Sequence, residues 1–148
     1  MGKSKKCAML KVVLDTSVCV AALLSNSGAS SRIVKAVLAH HLHHSTTDEI
    51  LEEIRNVLRR EKFKLPAEKQ RAFFRLLSDS SHLVTPKDTF LSARCRDPKD
   101  EMFLSLARQT EADYLISLDQ DLIEVGKIGG TKILTPGDFL KKEGGVHF

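Results

Sequence analysis

Two aspartates follow the most apolar short stretches of this sequence and are its first candidates for chemistry. Asp15 follows the run KVVL at 11–14, and Asp119 follows the apolar stretch at 112–118. Runs of this kind are typical of buried strands. In an open parallel sheet, ligands bind beyond the carboxyl ends of the strands, and neighbouring strands lie about 4.8 Å apart. The two carboxylates are therefore predicted to face one site.

Two further acids lie where they could join this pair. Asp100 falls in the first turn of the helix before the second of these strands, and Glu53 lies in a helix after a shorter strand. Carboxylates held together raise one another's pKa, a cost that a divalent cation removes. Ligands that are all oxygen favour hard ions such as Mg²⁺ or Mn²⁺. Such ions can activate water and stabilise the leaving oxygen of a phosphodiester, which favours nucleic acid hydrolysis.

Each candidate acid also has a structural alternative. An aspartate after a strand often caps the next helix, which applies to Asp15 and also to Asp121. Asp97 is expected to be a helix cap, because a proline follows it. Glu53 shares its helix with two other glutamates, and most acids on such a helix face solvent. The pattern alone leaves these alternatives open.

The rest of the chain predicts alternating strands and helices. We expect strands at 11–14, 41–45, 82–85, 112–118 and 132–134, and helices at 16–24, 32–39, 48–60, 66–77, 98–110, 122–126 and 136–141. Ser30 or Ser31 is expected to cap the second helix. Short apolar strands that alternate with helices indicate a parallel sheet covered on both faces. The fold class is therefore predicted as α/β, a three-layer α/β/α sandwich.

The composition is that of an ordinary globular domain. The 148 residues suit one domain, with 42% hydrophobic and 28% charged residues. The net charge of +4 fits a polyanionic partner without requiring one. Three scattered cysteines match neither a disulfide framework nor a zinc site, which favours a reducing compartment. The first apolar run is too short and interrupted for a signal peptide or a membrane span, so a cytoplasmic location and no membrane contact are expected.

Five segments resemble the PIN domain family, in the family's order. They are VVLDTSV at 12–18, TTDEILEEIRNVL at 46–58, DPKDEMFLSLA at 97–107, ADYLISLDQDLI at 112–123 and LTPGDFL at 134–140. The first resembles the family's opening "DTN" motif, with Ser17 where asparagine is commoner. The next three resemble its remaining acidic motifs, and the last resembles its usual close. Within the family, the chain is most similar to the toxin components of toxin–antitoxin pairs, the VapC-like ribonucleases.

The resemblance implies a Rossmann-like fold with a central parallel sheet and ribonuclease activity that depends on Mg²⁺ or Mn²⁺. Carried over position by position, it places the catalytic metal ligands at four acids, Asp15, Glu53, Asp100 and Asp119. Three residues beside them are expected to support the site, namely Ser17, Ser117 and Asp121. Because water and not the ribose 2′-hydroxyl is the expected nucleophile, cleavage should leave a 5′-phosphate and a 3′-hydroxyl.

Domain limits and partners follow from the same reading. We expect a basic N-terminal extension at 1–10, the PIN domain at 11–142 and a C-terminal tail at 143–148. RNA is the expected partner, and a small antitoxin protein and a second copy of the chain are further candidates. A basic stretch after the Glu53 helix either follows the phosphate backbone or is a solvated face, and comprises Arg59, Arg60, Lys62, Lys64, Lys69, Arg71 and Arg75. Lys99 is another candidate phosphate contact.

Three other interpretations stay open. The histidine cluster at 40–44 could bind a transition metal, but a strand there would point its side chains to opposite faces and disperse them. The chain could also be an RNA-binding or scaffold PIN domain with little catalysis. A further alternative is an RNA-processing nuclease outside any toxin–antitoxin system.

Overall fold

The computed structural model describes residues 9–90 and 98–143. Within them the strands are β1 (Lys11–Leu14), β2 (His43–Thr46), β3 (Ser81–Leu83), β4 (Tyr114–Ile116), β5 (Lys127–Ile128) and β6 (Thr131–Leu134). The helices are α1 (Thr16–Leu24), α2 (Ala29–Leu38), α3 (Asp48–Leu58), α4 (Ala67–Ser80), α5 (Pro98–Thr110), α6 (Gln120–Val125) and α7 (Pro136–Lys142). Asp97, Cys7, Cys95, most of the N-terminal extension and nearly all of the C-terminal tail lie outside the described residues.

The six strands form one mixed sheet in the order β3-β2-β1-β4-β6-β5. All neighbouring pairs are parallel except β5 and β6. The parallel strands therefore end at the same edge of the sheet, where the chain leaves β1 at Asp15 and β4 at Ser117. Backbone hydrogen bonds extend the pairing past both strands, from Asp15 N to Ile116 O and from Ser117 N to Leu134 O, each 3.0 Å long.

The helices complete the predicted α/β/α sandwich, and the predicted fold class is confirmed. Helices α1 to α4 pack on one another, and α7 packs on α2. Helix α5 packs instead against β1, β2 and β4. The central strands are fully buried, with Val13, Leu14, Leu115 and Ile116 at 0% exposure. Each such side chain contributes roughly 1.5–3 kcal/mol through its removal from water, so the strand ends that carry the acids are firmly held.

Helix α3 shows how local sequence sets the position of Glu53. The Thr47 hydroxyl caps the helix by accepting a 3.1 Å hydrogen bond from Ile50 N. Ile50, Ile54 and Leu58 recur every four residues and are buried on one face. Glu53 precedes this buried row by one position and is therefore only half-buried, at the margin of the helix interface.

One local expectation is wrong, and one strand was not predicted. Helix α2 begins at Ala29 after Gly28, which makes no side-chain cap, so neither Ser30 nor Ser31 is the cap. Both serines are buried in the first turn, and Ser31 Oγ donates instead to Asn26 O at 3.2 Å. The sequence pattern also fails to predict β5, because that strand has only two residues.

Candidate metal centre

Asp15 is buried at the carboxyl end of β1, with 6% of its surface exposed. It is the N-cap of α1, and its Oδ1 accepts a hydrogen bond from Ser17 N at 3.3 Å. Its Oδ2 accepts hydrogen bonds from Ser17 Oγ, at 3.0 Å, and from Ser117 Oγ. The capping role and a role in the site are therefore compatible, because the two carboxylate oxygens have different partners.

Burial raises the pKa of the Asp15 carboxyl above its usual value. The hydrogen bonds from Ser117 and Ser17 act in the opposite direction, and the negative charge of Asp119 adds to the increase. The pKa of Asp15 is raised overall, so a positive charge at this edge of the sheet would stabilise its ionised form.

Ser17 and Ser117 connect the ends of β1 and β4. Ser117 Oγ donates to Asp15 and accepts a 2.8 Å hydrogen bond from Asp119 N. Ser17 Oγ donates to Asp15 and accepts a 3.1 Å hydrogen bond from Leu118 N. Each hydroxyl thus uses both its donor and its acceptor capacity between the two strand ends. Ser17 therefore connects the two strand ends, although the motif that this segment resembles more commonly has asparagine at that position.

Three carboxylates meet at this edge. One oxygen from each of Asp100, Asp119 and Asp121 lies within 4.8 Å of the other two. Asp100 is buried in the first turn of α5, Asp119 is half-buried, and Asp121 is exposed. This donor set is all oxygen and carries like charges, and both properties fit a hard divalent cation. The residues present therefore fit a metal ion at this place.

Glu53 takes part in a separate contact, outside the three-carboxylate group. Thr16 Oγ1 donates a 2.6 Å hydrogen bond to Glu53 Oε2. Thr16 directly follows Asp15 in the chain and is itself buried. Neither Asp15 nor Glu53 belongs to the three-carboxylate group found among the described residues. The assignment of all four predicted ligands stays a prediction.

Asp121 does not cap the helix that follows β4. The cap of α6 is Asp119, whose Oδ1 accepts a 3.0 Å hydrogen bond from Asp121 N. The alternative that Asp121 caps this helix is therefore wrong. Because α6 begins at Gln120, two residues earlier than predicted, Asp121 enters its first turn and its carboxylate turns toward Asp100 and Asp119.

Sequence reasoning did not single out Thr16, although its contact with Glu53 positions a predicted ligand. The signal was available, because Thr16 is the middle residue of the DTS segment that resembles the family's opening motif. The contact itself joins residues 37 positions apart and depends on the packing of α1 against α3.

The histidine cluster is dispersed, as the strand interpretation predicts. His44 is buried, and its Nδ1 lies 2.6 Å from Ser81 Oγ. His43 lies half-buried with its ring centroid 5.5 Å from that of His82, and His40 and His41 are exposed before the strand. Among residues 9–90 and 98–143, these side chains form no group of three metal ligands.

Comparison with protein families matches residues 11–121 to the PIN domain. This match spans most of the chain and includes β1, β4 and all the acids described above. The chain belongs to the PIN domain family. PIN domains are generally nucleases and typically use divalent metal ions, in agreement with the acidic donor set.

Two individual proteins show how far the similarity reaches. An uncharacterized protein of Methanocaldococcus jannaschii, MJ1680, is 27% identical over 144 residues, which cover 90% of this chain and 91% of that protein. The crystal structure of PAE2754 from Pyrobaculum aerophilum superposes with a TM-score of 0.62, covering 94% of this PIN domain chain and 100% of the other. At 15% identity this likeness shows the shared fold alone.

No helix in the described parts of this PIN domain protein has the length and apolar character needed to cross a membrane. The one cysteine among those residues, Cys19, is fully buried and has a free thiol. Burial raises the pKa of this thiol to about 12, with a smaller contribution from Asp15. Cys19 is therefore an unreactive core residue next to the site.

Proposed function

We propose that this PIN domain protein is a metal-dependent endoribonuclease that hydrolyses phosphodiester bonds of RNA. The observation that carries the proposal is the convergence of Asp100, Asp119 and Asp121 within 4.8 Å at the carboxyl edge of the sheet. A domain that only binds RNA gains nothing from holding like charges together, because they repel both one another and the phosphates.

Asp100, Asp119 and Asp121 would hold the cation, and Asp15 and Glu53 are the further predicted ligands. When bound, Mg²⁺ or Mn²⁺ supplies Lewis acidity, lowers the pKa of water and neutralises the charge of the phosphate group. The buried Asp100 and half-buried Asp119 provide rigid ligands, whereas the exposed Asp121 closes the group on its solvent side.

The protein's own contribution is to fix the carboxylates before substrate arrives. Ser117 and Ser17 hold Oδ2 of Asp15 and the backbone after β4 in one hydrogen-bonded set. Thr16 holds Glu53 toward the same edge. Since these bonds exist in the free protein, little reorganisation is needed when substrate binds, which is the condition for effective electrostatic catalysis.

The exposed basic side chains favour a nucleic acid substrate. All seven residues of the basic stretch after α3 are exposed, and Lys99 is exposed directly before Asp100. Each cation that contacts a phosphate releases counterions, so such a surface draws the strand toward the acids. Attack by water should then leave a 5′-phosphate and a 3′-hydroxyl on the RNA products.

The test is cleavage of labelled single-stranded RNA by the purified protein with Mn²⁺. Cleavage should stop when EDTA is added, and the Asp15→Asn and Asp100→Asn variants should lose it. Asp138→Asn is the matched control, because Asp138 is an exposed acid in the first turn of α7, outside the group. If the Asp15 and Asp100 variants cut RNA as fast as Asp138→Asn, or single-stranded DNA is cut equally well, the proposal fails.

We also propose, on the resemblance alone, that the nuclease acts as the toxin of a toxin–antitoxin pair. Induction in cells should then stop growth, and a small protein encoded beside it should relieve the arrest. Asp100→Asn should be harmless under the same induction. Growth that continues during induction of an active nuclease would instead favour a role in RNA processing. Whether the protein is a homodimer is a separate question, which light scattering would answer.

A further inference from the structure

We propose that a cavity beside the acidic group binds one unstacked base of the RNA strand, next to the phosphate that is cut. This inference rests on the proposed ribonuclease function and adds a substrate subsite to it. The cavity has a volume of about 450 Å³ and lies between α1, α3, the short helical turn Glu61–Phe63 and the start of α5.

The floor of the cavity is apolar. It is formed by Val20 and Leu24 of α1, Val57 of α3 and Phe63. Leu24 is 47% exposed, although it lies in a protein whose other apolar helix residues are mostly covered. A flat, uncharged base has the chemistry to cover such a floor, since every base presents an apolar face.

The rim of the cavity is positively charged. Arg60 and Lys99 both line it, and Nζ of Lys62 lies 5.2 Å from the centroid of the Phe63 ring. A ligand that combines an apolar ring with an anion fits this arrangement, and a nucleotide is such a ligand. The lining also includes one carboxylate, Glu53, which accepts a hydrogen bond from Thr16, so Arg60 and Lys99 outnumber the acidic residues two to one.

Two residues that line the cavity adjoin acids of the site. Thr16 and Ser17 line it, and Ser17 Oγ also donates to Asp15 at 3.0 Å. On the other side Lys99 lines it and directly precedes Asp100 in the chain. A base in the cavity is therefore expected to have its phosphate near Asp15 and Asp100.

A second cavity of about 400 Å³, which Glu53 also lines, indicates which way the strand would run. It shares Glu53, Val57, Arg60 and Lys99 with the first but is also lined by Glu49 and Glu52. These two extra carboxylates repel phosphate, so the strand should continue along the basic stretch instead. A basic peptide laid across both cavities is the competing occupant, and the experiment separates the two.

The experiment measures binding of fluorescein-labelled RNA to the Asp100→Asn protein, which is not expected to cut it. The RNA carries a cleavage site mapped with the parent protein, and each base around that site is replaced in turn by an abasic ribose. Loss of the base that fills the cavity should weaken binding at least fivefold, since stacking of a base on an aromatic side chain, here Phe63, contributes about 1–3 kcal/mol.

The protein that carries both Asp100→Asn and Leu24→Glu should bind intact RNA as weakly as the Asp100→Asn protein binds the abasic RNA. In the protein with both substitutions, the abasic replacement should cause no further loss of affinity. Leu76→Glu is the matched control, because Leu76 lies on α4 outside the cavity and is 52% exposed. Both leucines are half-exposed, so neither change should unfold the protein, and melting temperatures verify this.

Three outcomes would overturn the inference. If RNA is cut and bound but no abasic position weakens binding twofold, the base subsite is wrong and the ribonuclease stands. If Leu24→Glu binds RNA as tightly as Leu76→Glu, the base subsite is wrong and the cavity is left to a protein partner. If RNA is neither cut by the parent nor bound, the proposed function fails and the subsite fails with it.

Discussion

The hydroxyl of Thr16 donates a 2.6 Å hydrogen bond to Oε2 of Glu53, a residue 37 positions later in the chain. Thr16 follows Asp15 directly, so this contact connects α3 to the end of β1 that carries the site. Glu53 has several acidic neighbours on α3, and this bond is what distinguishes it from Glu49 and Glu52. The orientation of Glu53 therefore depends on a residue of the first acidic motif.

Thr16→Val should weaken cleavage without unfolding the protein. Valine has nearly the same shape but cannot donate to Glu53, which is a predicted metal ligand. Loss of a partner that orients such a ligand typically costs about 10–100-fold in activity or metal affinity. Thr16→Ser keeps the hydroxyl and should restore most of the rate. Rates on labelled RNA at saturating Mn²⁺ measure both variants, and equal rates for valine and serine would contradict a positioning role.

Ser117→Ala should lower both stability and activity. Ser117 is fully buried, and its loss leaves Asp15 Oδ2 without one donor and Asp119 N without its acceptor. A buried polar group left without its partner costs about 1–3 kcal/mol, which urea unfolding would measure. Ser105→Ala is the control, since Ser105 is also buried but lies within α5. A Ser117 variant as stable and active as this control would show that the bridge is unimportant.

Divalent cations should raise the melting temperature, and Asp119→Asn should abolish the increase. A ligand that binds only the folded state stabilises it in proportion to RT ln(1 + [L]/Kd). Asparagine caps a helix about as well as aspartate, so α6 should persist. The melting temperature without metal should not fall, because the change removes one of three carboxylates that repel one another. Asp138→Asn should keep the full response to Mn²⁺. A response that survives in the Asp119 variant would place the cation elsewhere.

The free energy of unfolding should decrease as the pH falls below about 6.5. Burial, followed by the nearby His43, lowers the pKa of His44 to about 4 in the folded protein. The unfolded chain therefore binds more protons between these values, and stability is lost on acidification. From these pKa values the loss between pH 7 and pH 5 is about 2 kcal/mol.

The hydrogen bonds around His44 explain why it remains neutral. Ser81 Oγ donates to Leu77 O at 2.7 Å, so His44 Nδ1–H is the donor in the 2.6 Å contact with Ser81. Nε2 is then the unprotonated nitrogen, and it is buried without a partner among the described residues. His44→Gln should reduce the loss of unfolding free energy between pH 7 and pH 5, whereas His41→Gln, at an exposed position, should leave that loss unchanged. Identical profiles for the two variants would exclude His44 as the cause.

Most of the fold could be predicted from the sequence. The runs at β1 and β4 are apolar on both faces, which is typical of central parallel strands, and both lie where they are expected. The two-residue strand β5 could not be predicted, because its pairing depends on the neighbouring β6 and not on its own pattern. The start of α2 was missed for a related reason, since Ser30 and Ser31 resemble caps but are buried by packing.

The sequence by itself determined which residues could form the site, because the end of a buried strand fixes where Asp15 and Asp119 must lie. Only the tertiary structure decided which acids meet, bringing Asp121 to Asp100 and Asp119 while Glu53 bonds to Thr16. The physical reason is one of scale. Strand position follows from patterns a few residues long, whereas contacts of a few ångströms between distant residues depend on how whole helices pack across the sheet.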